Sequence, residues 1–245
     1  MFLITRLGQS WCRTARSMST FKPVTHVIFD LDGLLLDSET VYKATHKKII
    51  EGFGKNYDPD LRLKILGTKE QDTAQTIVRC LELPITPDEF SKLAKEELAL
   101  VYSNIPLKPG AKRLIEHLHE NKVPIAVATS SSENSYNQKT AIHNELFKKM
   151  LHVVKGSTDP EVVNGKPAPD IFRICAARFS DSPHPSSCLA FEDAPNGVLS
   201  ATSAGMQCVM VPEDYIPIEL TSRATLVLKS LLDFKPEDFG LPPFK

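Results

Sequence analysis

From residue 24 onward, runs of three to six residues rich in Val, Ile, Leu and Ala alternate with longer stretches whose apolar side chains recur every three or four positions. The short runs lie at 24–29, 125–128, 152–154, 188–191, 208–211 and 225–228. Several have no polar face. That pattern belongs to strands covered by helices on both sides, and it predicts an α/β fold with a parallel sheet.

One interval breaks the alternation. Between residues 38 and 106 no strand pattern occurs, while helical periodicity is present over 41–54, 71–83 and 88–103. Ser38 is placed to cap the first of these helices, and TPDE at 86–89 to start the last. The segment IPLKPG (105–110) then reads as a return linker. The expected organisation is a core built from residues 24–37 and 107–245 with a helical module, residues 38–106, inserted after the first strand. Because ligands of open α/β sheets bind beyond the carboxyl ends of strands, a module inserted there is expected to cover the site.

The first 23 residues stand apart. They carry Arg6, Arg13, Arg16 and Lys22, several hydroxyl residues and no acid. This is the composition of a mitochondrial presequence or of an extension outside the folded core, on an otherwise cytoplasmic protein. The whole chain of 245 residues has a formal net charge of -1, so no basic footprint for nucleic acid is present. No apolar stretch is long enough to cross a membrane. The five cysteines form no CxxC pair, which argues against a zinc site and for reduced thiols.

Four polar clusters follow strands or open helices. Asp30 and Asp32 in DLDG lie two residues apart, so both carboxylates face the same way, and Gly33 permits a tight turn beside them. Paired carboxylates raise each other's pKa or share a hard cation such as Mg²⁺. Thr129 and Ser130 open a hydroxyl-rich turn (TSSS) that can hold a phosphate. Lys166 in GKPAPD places a point charge ahead of a helix. Glu192 and Asp193 in FEDAPNGV form a second acid pair after a strand.

In that order, DLDG, VATSS, GKPAPD and FEDAPNGV resemble the haloacid dehalogenase superfamily. The helical insertion looks like the small α-helical cap of its phosphoglucomutase-like branch. The resemblance implies a Rossmann-like parallel sheet core with that cap inserted. It also implies phosphoryl transfer from a small phosphorylated metabolite through an aspartyl-phosphate. Asp30 would be the nucleophile and Asp32 the general acid and base. Mg²⁺ would be bound by Asp30, the Asp32 carbonyl and Asp193, with Glu192 at or beside the metal. Thr129, the Ser130 N–H and Lys166 would hold phosphate oxygens. Lys69, Glu70 and Gln71, in the loop LGTKEQD, would select the substrate, and a monomer is expected. A phosphomutase of this branch carries a cap histidine where this chain has Tyr42, and a gripping arginine where it has Glu70. Both departures point to a phosphatase, of a nucleoside, sugar or polyol phosphate, with a mutase as the alternative.

Overall fold

A computed structural model describes residues 20–245; the sequence expectation of a presequence falls mainly on residues 1–19, outside the described residues. Six parallel strands form one sheet: β1 (His26–Phe29), β2 (Ile125–Thr129), β3 (Val153–Lys155), β4 (Cys188–Glu192), β5 (Gln207–Met210) and β6 (Leu226–Val227), in the order β3-β2-β1-β4-β5-β6. All six apolar runs became strands, within two residues at each boundary. β1 is central, with Phe29 in register with Val127 on one side and Phe191 on the other.

Alternation along the strands divides the core in two. Val27, Phe29, Val127, Phe191 and Val209 pack on one face with α5 (Ala111–Glu120) and the C-terminal Phe234 and Phe239. Ile28, Ala126, Val154, Ala190 and Met210 pack on the other with α8 (Asp170–Ala177) and α9 (Pro195–Ser203). The order of the sheet reverses at β1, with β2 on one side and β4 on the other. Their carboxyl ends therefore frame a crevice at a topological switch point. Phe21 stacks on Phe239 with ring centroids 4.6 Å apart, which joins the start of the described chain to its C-terminal segment. His117 on α5 is buried, its Nε2 2.8 Å from the Pro242 carbonyl oxygen.

Between β1 and α5 the chain forms α1 (Glu39–Gly52), α2 (Pro59–Ile65), α3 (Glu70–Leu81) and α4 (Pro87–Ala99). They enclose their own apolar cluster, including Ile50, Leu61, Ile77 and Phe90. The seven residues of α2 are too few to show periodicity; the helix is started by Asp58, whose carboxylate accepts the Leu61 N–H at 2.7 Å, and by Pro59. At α4 the expected start is present as a capping box between Thr86 and Glu89. Ser38 does not cap α1 through its side chain. Its hydroxyl donates to Asp32 Oδ1 at 2.7 Å and accepts the Gly33 N–H at 3.2 Å, so it serves the acid pair instead.

Candidate active site

β1 delivers Asp30 into the crevice, and the Asp30 N–H donates to the Phe191 carbonyl at 2.9 Å, which fixes the strand end against β4. Lys166 Nζ donates to both Asp30 Oδ1 and Glu192 Oε1, the latter at 2.6 Å. All three are buried. Asp193 follows Glu192 at the end of β4, and its Oδ2 is buried with no hydrogen-bond partner among the described residues. Carboxylate oxygens of Asp30, Glu192 and Asp193 lie within 4.8 Å of one another.

Two glycines make room for this cluster. Gly33, at φ +79°, would bring an added Cβ to 2.1 Å from Asp193 Oδ2. Gly197, in the first turn of α9, would bring one to 2.0 Å from the Glu192 carboxyl carbon. A side chain at either position collides with an acid.

Burial, then the neighbouring Asp30 and Glu192 charges, push the Asp193 carboxyl well above its usual range. Burial opposed by Lys166 sets Glu192 at about 7, and Asp30 is likewise raised by burial. Three buried acids facing one lysine are short of positive charge. An orphaned carboxylate oxygen beside two others is a donor set for a hard cation, and the residues fit Mg²⁺.

This imbalance has a consequence for stability. Glu192 and Glu39 both titrate near 7 in the fold, against about 4.5 for a free glutamate. Between those values the folded state binds more protons than the unfolded one, so stability falls as pH rises from about 4.5 to 7. Thermal melts of the EDTA-treated protein should therefore give a lower Tm at pH 8 than at pH 5.5. Added Mg²⁺ should restore most of the difference.

Asp32 has a different environment. Lys139 Nζ reaches both of its oxygens, at 2.7 and 2.6 Å, and Ser131 Oγ donates to Oδ2 at 2.8 Å. Burial alone would raise the Asp32 pKa, but Lys139 and the hydroxyls outweigh it and hold the carboxyl below its usual range. Lys139, on α6 (Glu133–Thr140), is fully buried and also donates to Tyr42 OH at 3.0 Å. The sequence reading passed over this residue. Its signal is the stripe Ser132, Ser135, Tyr136 and Lys139, four side chains at helical spacing with a lysine where a core position is due.

Thr129 ends β2 and is fully buried; its Oγ1 accepts the Ser131 N–H at 3.1 Å, which leaves the hydroxyl proton free to donate. Ser130 Oγ donates to the Gly67 carbonyl at 3.1 Å. Asp30, Asp32, Thr129, Ser130, Lys166, Glu192 and Asp193 thus gather at adjacent carboxyl ends of β2, β1 and β4. Lys69 and Glu70 hold the helical module against this end: Lys69 Nζ lies 3.2 Å from the Val162 carbonyl, and Glu70 Oε1 accepts Ser135 Oγ at 2.6 Å. Gln71 is exposed and does not line the cavity. That cavity, of about 110 Å³, runs from Asp30 and Asp32 between α1 and α4 and is lined by Tyr42, His46, Tyr57 and Phe90.

Comparison with known proteins gives the geometry a context. The family described as haloacid dehalogenase-like hydrolase matches residues 24–205. A "probable pseudouridine-5'-phosphatase" of Drosophila melanogaster is 50% identical over 91% of this chain and 96% of its own length. "(DL)-glycerol-3-phosphatase 2" of Arabidopsis thaliana is 44% identical over 91% of this chain and 93% of its own. Among solved structures, a β-phosphoglucomutase from Clostridium difficile superposes with a TM-score of 0.72 at 21% identity, covering 86% of this chain and 93% of that one. This last likeness is one of fold.

Proposed function

The chain belongs to the haloacid dehalogenase-like hydrolases and is a phosphatase of a small phosphorylated substrate, and on that basis we propose that it hydrolyses pseudouridine 5'-phosphate to pseudouridine and phosphate. The observation that carries the substrate is the 50% identity to the Drosophila protein along almost the whole of both chains. It is supported by KPAPDIF, AGMQCVMVP and the tail DFKPEDFGLP, which look most like pseudouridine-5'-phosphatase although no catalytic need dictates the tail.

In this reading an oxygen of Asp30 attacks phosphorus in line, forming the aspartyl-phosphate as the bond to the nucleoside O5′ breaks. Asp32 gives its proton to that departing oxygen. It then takes a proton from the water that attacks phosphorus, and Asp30 and inorganic phosphate are released. Lys139 keeps Asp32 ionised in the free site; the incoming phosphate raises its proton affinity, and Asp32 takes up a proton from solvent or from the phosphate monoanion before it acts as the acid. Once that proton has left with the alcohol, Asp32 is again an ionised base beside Lys139 for the attacking water. Lys166, Thr129 and the Ser130 N–H bind the phosphate oxygens. Asp30, Asp193 and the Asp32 carbonyl would hold Mg²⁺, with Glu192 beside it through its pair with Lys166. The ion supplies positive charge against the phosphate and the three buried acids. The helices α1–α4 act as a cap over the reaction, latched by Lys69 and Glu70.

The division of labour between the two aspartates is testable. Asp32→Asn should lower kcat/KM by about 10²–10⁴-fold on alkyl phosphates, whose alkoxide needs a proton to leave. p-Nitrophenyl phosphate, with a stable leaving anion, should lose far less in kcat/KM, which does not include the later hydrolysis step, and equal losses on both would remove Asp32 from the acid step. For the substrate, kcat/KM compared across pseudouridine, sugar and glycerol phosphates should favour the first, with EDTA abolishing all turnover. Uniform values would contradict the assignment.

A further inference from the structure

We propose that His46 is the specificity-determining residue of this site and binds the heterocyclic base of the leaving nucleoside at the far end of the cavity; the inference rests on the nucleoside phosphate reading above. His46 is nine-tenths buried, lines the cavity, and its Nδ1 has no hydrogen-bond partner among the described residues. An unpaired buried ring nitrogen is costly; Nδ1 is sealed from the cavity, whereas Nε2, also without a hydrogen-bond partner among the described residues, is the nitrogen left for a ligand to pair with. Burial also lowers the His46 pKa to about 4, so the ring is neutral at physiological pH and offers one donor and one acceptor. The edge of a pyrimidine-dione, alternating N–H and C=O, matches Nε2 in either tautomer.

Position along α1 gives the length of the ligand. Ser38, just before the helix, hydrogen-bonds Asp32, and Glu39 opens it beside Gly33. Tyr42 and His46 follow at intervals that keep them on one face. Seven residues of rise place His46 about 10 Å from Glu39 along the helix axis. A three-carbon polyol phosphate held at Asp30 ends short of that distance, whereas ribose carrying a base spans it. The surroundings suit a flat ring as well. His46 lies 6.2 Å from Tyr42, 6.2 Å from Tyr57 and 5.9 Å from Phe90, measured between ring centroids. At these separations the three rings pack directly on the imidazole and fix its orientation, while Glu39 and Arg62 also line the cavity and can meet sugar hydroxyls.

The test compares wild type, His46→Phe and His46→Gln on pseudouridine 5'-phosphate and glycerol 3-phosphate. The phenylalanine keeps ring volume and removes both nitrogens. It should lower the ratio of kcat/KM between the two substrates on the order of 10–100-fold, mostly through KM for the nucleotide. Glutamine, which restores a donor and an acceptor, should recover part of the ratio. If His46→Phe lowers both substrates equally, or leaves the ratio unchanged, His46 is a packing residue and the inference is overturned. If the wild type itself shows no preference for the nucleotide, the underlying substrate reading falls, and this inference with it.

Discussion

An Asp30→Asn protein is expected to fold as the wild type does and to lose phosphate release by at least about 10⁴-fold, because an amide oxygen is too weak a nucleophile to attack phosphorus. The fold should survive for a specific reason. Lys166 contacts Glu192 as well as Asp30, so removing the Asp30 charge leaves the lysine paired and relieves repulsion among the remaining acids. A Tm equal to or above that of the wild type, together with loss of turnover on every substrate, separates a missing nucleophile from a damaged core. Turnover within tenfold of wild type would remove Asp30 from the role.

Lys139→Met is expected to destabilise the protein by about 3 kcal/mol, at the low end of the cost of breaking a buried pair. The lysine is wholly buried, but the Asp32 side chain keeps 19% of its surface, so water offsets part of the loss. Ser131 and Ser38 continue to donate to Asp32 and moderate the effect further. The double variant Lys139→Met with Asp32→Asn removes the stranded charge and should be more stable than Lys139→Met alone. Urea denaturation measures both. A single variant within 0.5 kcal/mol of wild type would mean that the pair contributes nothing measurable to the fold.

The contrast between Asp30 and Lys139 shows how far the sequence could be read. The sheet was legible because its strands are buried on both faces, and a buried strand must be apolar throughout. The acids were legible because they terminate such strands, where charge has no packing explanation, and the same holds for Glu192 and Asp193. Lys139 was hidden because a buried lysine on a polar helix is indistinguishable, residue by residue, from a solvated one; the stripe 132, 135, 136 and 139 is its one local signal, and its partner across the chain gives that signal meaning. His46 was hidden for a related reason, since a histidine on the apolar side of a helix reads as core until its unpaired nitrogen is seen. Ser38 shows the reverse error: a residue with an ordinary local explanation, helix capping, was in use elsewhere. In each case the missing information was a contact between residues distant in sequence, or the absence of one.

The central claim is that the phosphoryl group passes through the Asp30 carboxylate. Acid quenching during turnover with Mg²⁺, borohydride reduction and peptide mass spectrometry test it directly, because an acyl phosphate is reduced to an alcohol while a free carboxylate is not. The account predicts homoserine at position 30, dependent on substrate and absent from Asp30→Asn. Reduction at another residue, or none while phosphate is being released, would contradict it.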